Sequence, residues 1–207
     1  PLLMGNDLRK LSAPSLTILN NPAIIALSQD PLGRSVNLIR RDTDGLKKDK
    51  YGMAETHIWG GHLFNGDEVV ILLNAADEDV EMTASLEEIF YADGPEGSAE
   101  QVQHSWDVYD LWANRMDGFT AQKILDEGDN NAGVQKALIA ANWYNSTAVS
   151  YADGLEAGDE RLFGKKVSTI SPGGSLTVNV KRHSAEVFRL RTPPKKGEAS
   201  VVAKDEL

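Results

Sequence analysis

No cysteine occurs among the 207 residues. That removes disulfides, thiol catalysis and cysteine-ligated zinc together. No apolar run approaches the ~20 residues of a membrane-spanning helix, and no internal repeat is visible. Basic residues are the minority, 21 Lys and Arg against 31 Asp and Glu, for a net charge of −10. Such a balance argues against nucleic acid and anionic membrane surfaces as partners. What remains, 41% hydrophobic residues with ordinary charge content, describes a globular chain.

The first 33 residues read as strand, helix, strand. Leu2, Leu3 and Met4 form an apolar run, and Gly5-Asn6-Asp7 follows as a loop. Leu11 before Ser12, with Leu16 four residues on, is a hydrophobic staple around an N-cap serine. Pro14 falls in the first helical turn, where its missing N–H costs nothing. Asn21 precedes Pro22 and is pushed out of the helical region, so this helix stops by Asn20-Asn21. Ala23 to Leu27 (AIIAL) is an uninterrupted apolar run, expected as a parallel strand covered on both faces.

PLLMGNDLR, followed about twenty residues later by AIIALSQDPLG, resembles the last two βα steps of the catalytic barrel in family 27 glycoside hydrolases. These are the retaining α-galactosidases and α-N-acetylgalactosaminidases. The family commonly has Asn where this chain has Ser28. The resemblance covers the whole chain in outline and is strongest in the first third. It implies a C-terminal portion of such an enzyme that starts partway through the barrel.

After the barrel piece, 34–53 is basic, Gly-punctuated and connecting, with Val36, Leu38 and Ile39 as a short strand and 42–45 as a turn. From Glu55 the pattern turns to β. Thr56 to Phe64 leads into Asn65-Gly66, the strongest short hairpin signal, and Val69 to Leu73 returns as an interior strand. Val80, Met82 and Ala84 alternate with polar partners, and Ser85 with Glu88 forms a capping box before a short helix, Leu86 to Phe90. Trp106 to Trp112 is an aromatic strand whose Asp110-Leu111-Trp112 resembles a strand of the family's sandwich. The 119–160 stretch then departs from the family pattern, with helices expected from Thr120 to Leu125 and from Val134 to Tyr144. Strand patterns return at Val167 to Ile170, at Leu176 to Val180 after the turn 171–174, and at His183 to Leu190. The fold class is therefore an α+β composite: the last two βα units of a (β/α)8 barrel (1–40), then an antiparallel β-sandwich (41–192) with a helical insertion at about 119–160. An exposed tail, 193–207, ends the chain.

Retaining glycosidases need two carboxyls about 5–5.5 Å apart, placed at the C-terminal ends of barrel strands. Asp7 and Asp30 follow barrel-type strands in this sequence, which makes them the tempting pair. The resemblance implies instead that nucleophile and acid/base lie upstream of Pro1, so no catalytic residue is assigned here. Asp7 and Asp30 are read as loop-structuring, capping backbone N–H groups. Met4 and Gln29 are within sequence reach of the pocket wall, and neither is assigned to it. His57 and His62 flank Trp59, but residues five apart on a strand face opposite ways and cannot share a metal. Asp126 to Asn131 fails the spacing of a calcium loop, with Ala140 where the twelfth-position Glu belongs. No metal or cofactor is assigned. Trp59, Trp106, Trp112 and Trp143 are candidate stacking surfaces for sugar rings, two of them in β alternation and so read as core.

Two features speak to compartment. Asn145-Ser146-Thr147 is an N-glycosylation acceptor. Lys204-Asp205-Glu206-Leu207 is the C-terminal address that retrieves proteins to the endoplasmic reticulum. Together they predict the secretory pathway, with the endoplasmic reticulum lumen or the exterior as destination. The resemblance implies an α-galactoside substrate for the complete enzyme, and an upstream barrel segment as this portion's partner. Which sugar is preferred (galactose, N-acetylgalactosamine or arabinopyranose) stays open. The alternative is a non-catalytic β-sandwich that binds carbohydrate or a partner.

Overall fold

The computed structural model describes residues 7, 10–91 and 99–193. Eight strands lie among them: β1 (Asn37–Asp42), β2 (Thr56–His62), β3 (Glu68–Asn74), β4 (Val80–Ser85), β5 (Trp106–Asp110), β6 (Lys165–Ile170), β7 (Ser175–Val180) and β8 (Ser184–Arg191). Six form one sheet in the order β1-β2-β3-β8-β5-β6, and β4 pairs β7 in a second, two-stranded sheet. Every pairing is antiparallel. Alternation explains the layering. Val70 and Leu72 of β3 with Phe188 and Leu190 of β8 face Met82 and Ala84 of β4 and Leu176 and Val180 of β7. That apolar layer, with Trp106 inside it, is the sandwich core.

The β2–β3 hairpin turns where the dipeptide requires. Asn65 and Gly66 both adopt positive φ, 62° and 75°, the conformation that favours Asn-Gly between twisted strands. β3 lies between β2 and β8, as its unbroken apolar run predicts. The capping box is also present: Ser85 Oγ accepts the Glu88 N–H at 3.1 Å, and Glu88 returns to accept the Ser85 N–H at 2.9 Å. It opens helix α3 (Leu86–Ile89), which brings Leu86, Ile89 and Phe90 into the core.

The N-terminal segment corrects one expectation. Ser12 caps α1 (Ala13–Leu19) as foreseen, but Ala23 to Leu27 is not a strand. It lies inside a second helix, α2 (Pro22–Ser28). The local chemistry explains the outcome. Asn21 is extended, and its side chain accepts the N–H groups of Ala23 and Ile24; Pro22 fills the first helical position. No described strand lies beside the segment, so a helix is what satisfies its backbone groups. The expected strand at Leu2 to Met4 falls outside the described residues, and no barrel βα unit is seen among the described ones.

α2 is a wedge between two bodies. Ala23, Ile24 and Leu27 pack on the outer face of the large sheet, against Val69, Leu111 and Val187. Ala26 meets Tyr144, Leu155, Leu162 and Phe163 of the 119–160 region and its exit. In that region helices α4 (Gly118–Glu127), α5 (Asn131–Ala140) and α6 (Tyr151–Glu156) are each N-capped by a side chain, from Asp117, Asn130 and Ser150. α4 therefore begins two residues before Thr120, and α5 is shifted three residues ahead of the expected start. Both differences follow from where the capping acceptor sits.

Two glycines with positive φ separate backbone strain from crowding. Gly66 (φ 75°) has open space where a Cβ would go, whereas a Cβ on Gly164 (φ 83°) would run into the backbone of Asp110. Gly66→Ala is expected to cost about 1 kcal/mol, the left-handed penalty alone. Gly164→Ala should cost clearly more, and urea midpoints of the two variants check the order.

Candidate functional site: the buried charge junction

Three of the buried charged residues, Asp30, Asp67 and Arg189, come together where the N-terminal segment meets the sheet. Asp30 follows α2 and is 96% buried at its side chain. Its Oδ1 accepts the N–H of Leu32 at 3.0 Å and of Phe64 at 2.9 Å. One carboxylate thus ties the loop after α2 to the entry of the β2–β3 turn. This is the loop-structuring role expected of Asp30, and it leaves the group shut away from any substrate. Asp7 is exposed, and its carbonyl accepts the Lys10 N–H at 3.0 Å. Gln29 caps α2 through its own N–H. Met4 lies outside the described residues.

Opposite Asp30 stands Arg189, whose side chain is 1% exposed. β8 reads SAEVFRLR, so Arg189 shares the outer face of the sheet with Val187, the face that α2 covers. Its Nη1 donates to Asp67 Oδ2 at 3.1 Å, and its Nη2 lies 4.0 Å from Asp30 Oδ2. Arg191, two residues on, brings its Nε to 3.0 Å from Asp67 Oδ2. Both guanidiniums lie over the Phe163 ring, at 5.0 and 3.9 Å from its centroid, a cation–π contact made in a dry setting. Four stretches of chain meet there: the loop after α2, the β2–β3 turn, β8 and the exit of the helical region.

Burial pushes the Asp67 carboxyl above its ordinary value, against the pull of Arg191 and Arg189. The same burial lowers the Arg189 guanidinium, with Asp67 and Asp30 opposing it, yet arginine stays charged in proteins. A second anchor sits beside the junction, where Asn21 Nδ2 donates to the Leu111 carbonyl at 2.9 Å, fully buried. Neither Arg189 nor Asp67 was singled out by the sequence reading. The available signal was a charge in register with Val187 on a face expected to be covered.

The other candidates disperse. His57 Nε2 lies 3.4 Å from Glu55, and His62 Nδ1 lies 2.6 Å from the buried Glu68. Among the described residues no group of three or more metal-ligating side chains of the His, Cys, Asp and Glu types comes together. Trp106 is core, and its indole donates to the Gln101 carbonyl; Trp112 donates to the Ala185 carbonyl. Trp59 stands edge-on to His57, and Trp143 borders a groove. Asp126 and Glu127 close α4, with Gly128 as its C-cap. Asn145 is exposed, its Oδ1 accepting the Thr147 N–H at 3.1 Å. The terminal Lys204, Asp205, Glu206 and Leu207 lie outside the described residues.

Residues 53–134 match the family model described as the alpha galactosidase C-terminal beta sandwich domain. An α-galactosidase of Saccharomyces paradoxus is 43% identical over 192 residues, 93% of this chain and 38% of that protein. One of Torulaspora delbrueckii is 43% identical over 196 residues, 94% of this chain and 39% of its own length. The chain thus spans well under half the length of these curated relatives. A solved α-galactosidase structure from Saccharomyces cerevisiae superposes with a TM-score of 0.81 at 37% identity, covering 93% of this chain and 40% of that one. The same kind of enzyme from that organism with raffinose gives 0.82 at 38%. An α-galactosidase from Mortierella vinacea, 21% identical with a TM-score of 0.56, shares the fold.

Removing Arg189 would leave Asp67 and Asp30 buried with less compensation. Arg189→Met is therefore expected to destabilise the chain by about 3 kcal/mol. Arg191→Met, at a side chain 31% exposed, should cost about 1 kcal/mol or less. Paired urea denaturation curves test this order, and equal losses would contradict it.

Proposed function

With the chain identified as a C-terminal portion of the family 27 glycoside hydrolases of α-galactosidase type, we propose that it serves within a retaining enzyme that removes terminal α-linked galactose. The observation that carries this reading is the 43% identity to curated α-galactosidases along nearly the whole chain, on a sandwich of matching fold. In such an enzyme one carboxylate attacks the anomeric carbon while a second protonates the departing oxygen, then activates water against the glycosyl-enzyme. In our reading both carboxylates belong to a catalytic domain outside this sequence, and the segment ahead of β1 is the part of this chain that continues it.

The chain's own contribution is mechanical. α2 lies on the outer face of the large sheet, α1 packs against α4, and the Asp30–Arg189–Asp67 junction fixes the loop after α2 relative to β8. A catalytic domain continuing into this segment would be held against the sandwich through it. Positioning of this sort matters because acid and nucleophile must be kept in one geometry. The galactoside preference extends from the relatives' activity. The structure solved with raffinose is a property of that enzyme, and it supports an α-galactoside as the substrate class.

Two measurements test the reading. The 207-residue chain alone should give no turnover of an aryl α-galactoside, and added N-terminal portion of the enzyme should be required for any. Hydrolysis by the isolated chain, lost on Asp7→Ala or Asp30→Ala, would falsify the assignment of catalysis to another segment.

The compartment reading is separate. We propose passage through the secretory pathway, supported by the exposed Asn145 within its sequon and by the terminal Lys204 to Leu207. Expressed with a secretion leader, the chain should lose mass on endoglycosidase treatment, and Asn145→Gln should abolish that loss. Deleting the last four residues should move protein from cells to medium. Unmodified Asn145 in fully mapped secreted material, or no change in partitioning, would count against it.

A further inference from the structure

A groove of about 440 Å³ opens between the turn after β5 and the end of α5, with Arg115, Asp117, Trp143, Arg161 and Lys165 on its walls. Trp143 is half-buried at the close of α5, its backbone N–H donating to the Leu138 carbonyl at 2.9 Å. Among the described residues its indole N–H has no acceptor and its ring pairs with no other aromatic ring. The indoles of Trp106 and Trp112, by contrast, are committed to backbone carbonyls.

The rest of the wall is basic. Arg161 is held fast, its Nε 2.9 Å from Asp159 Oδ1 and its Nη2 2.5 Å from Oδ2, with the guanidinium 5.2 Å over the Tyr144 ring. Arg115 and Lys165 are exposed. Beyond the attraction of Arg115 for Glu186, no hydrogen bond or ion pair occupies either side chain among the described residues. The single carboxylate on the wall, Asp117, is already committed: its Oδ1 and Oδ2 accept the Thr120 N–H at 2.9 Å and hydroxyl at 2.6 Å. A chain of net charge −10 thus presents three cations beside one half-buried indole with an uncommitted N–H.

We propose that this groove binds a saccharide bearing an anionic group, a phosphate or a carboxylate. The sugar ring lies on Trp143, whose face suits the C–H surface of a pyranose and whose N–H meets a hydroxyl. The anion is taken by Arg115 and Lys165, since charge-assisted hydrogen bonds from free cations are the strong ones. Arg161, already paired, forms the fixed wall. A neutral sugar would leave Lys165 without a counter-charge and Arg115 with only the attraction of Glu186, and an anion without a ring would leave the indole unused. The inference is independent of the galactosidase reading, because it rests on the groove alone.

The test is calorimetric titration of the full 207-residue chain at low ionic strength with galactose 6-phosphate, galactose and inorganic phosphate. Saturable binding of the sugar phosphate is expected, at least about tenfold tighter than either other probe, and weakened by added salt. Arg115→Ala and Lys165→Ala, both at exposed positions, should each weaken it about tenfold. Trp143→Ala should do the same, while Trp143→Phe, which keeps a ring face and loses only the N–H, should weaken it less; if Trp143→Ala fails to fold, Arg115→Ala and the three-probe comparison decide. No saturable binding, binding unaltered by Arg115→Ala, or equal affinity for phosphate with and without the sugar would overturn the proposal.

Discussion

A charge with no access to water governs how this chain is put together. Arg189 sits under α2, where hydration is lost, and it is tolerable only because Asp67, Asp30 and the face of Phe163 surround it. Each neighbour arrives from a different part of the sequence. The arginine therefore acts as a coincidence requirement: the loop after α2, the hairpin turn, the last strand and the exit of the helical region must all be placed before its burial becomes acceptable. Apolar packing supplies most of the attraction across the same surface, through Ala23, Leu111 and Val187, but it has little directional preference. The ion cluster contributes orientation, allowing one seating of the N-terminal segment where grease alone would accept several.

Much of the sandwich was legible in the sequence because its signals are local. Asn65-Gly66 has a backbone requirement that few other dipeptides meet, and Ser85 with Glu88 forms a closed pair of hydrogen bonds within four residues. Alternation in 80–84 and 176–180 assigned faces without knowledge of partners. Ala23 to Leu27 went the other way for an equally physical reason. Five apolar residues fit a buried strand or a short buried helix, and the deciding signals lay just outside the run, in the Asn21 cap and the proline after it. Once Pro22 is read as a first helical position, and not only as a stop for α1, the second helix follows.

The candidate site was less legible, since it is made by long-range pairing. Asp30 was correctly read as a loop-structuring carboxylate, although Arg189 lies 159 positions away and nothing in the neighbourhood of Asp30 points to it. Phe163 had no signal at all. Its importance comes from lying between the guanidiniums of β8 and the helical region, where Tyr144 and Leu162 join Ala26 in one apolar cluster. The helical region is thus no loose outgrowth. It packs on α2 at Ala26, on the flank beside the residues that face the sheet.

The glycine pair in β2 has a consequence for how such a protein can be cut and recombined. A side chain on Gly60 would collide with Ile39 Cδ1 at 2.6 Å, and one on Gly61 would press on the Val36 backbone at 3.1 Å. Their bareness lets the segment between the N-terminal helices and the hairpin lie directly against the sheet, where 37–42 becomes an edge strand. The connection follows a set path, paired with β2 from Asn37 to Asp42 with one bulge between Leu38 and Arg40. A tether of Gly and Ser could be lengthened at little cost, whereas a residue added outside that bulge would shift the pairing by one and turn the side chains of the edge strand to the other face. Moving this sandwich into another protein therefore calls for a junction ahead of Val36, with the strand carried along as part of the sandwich.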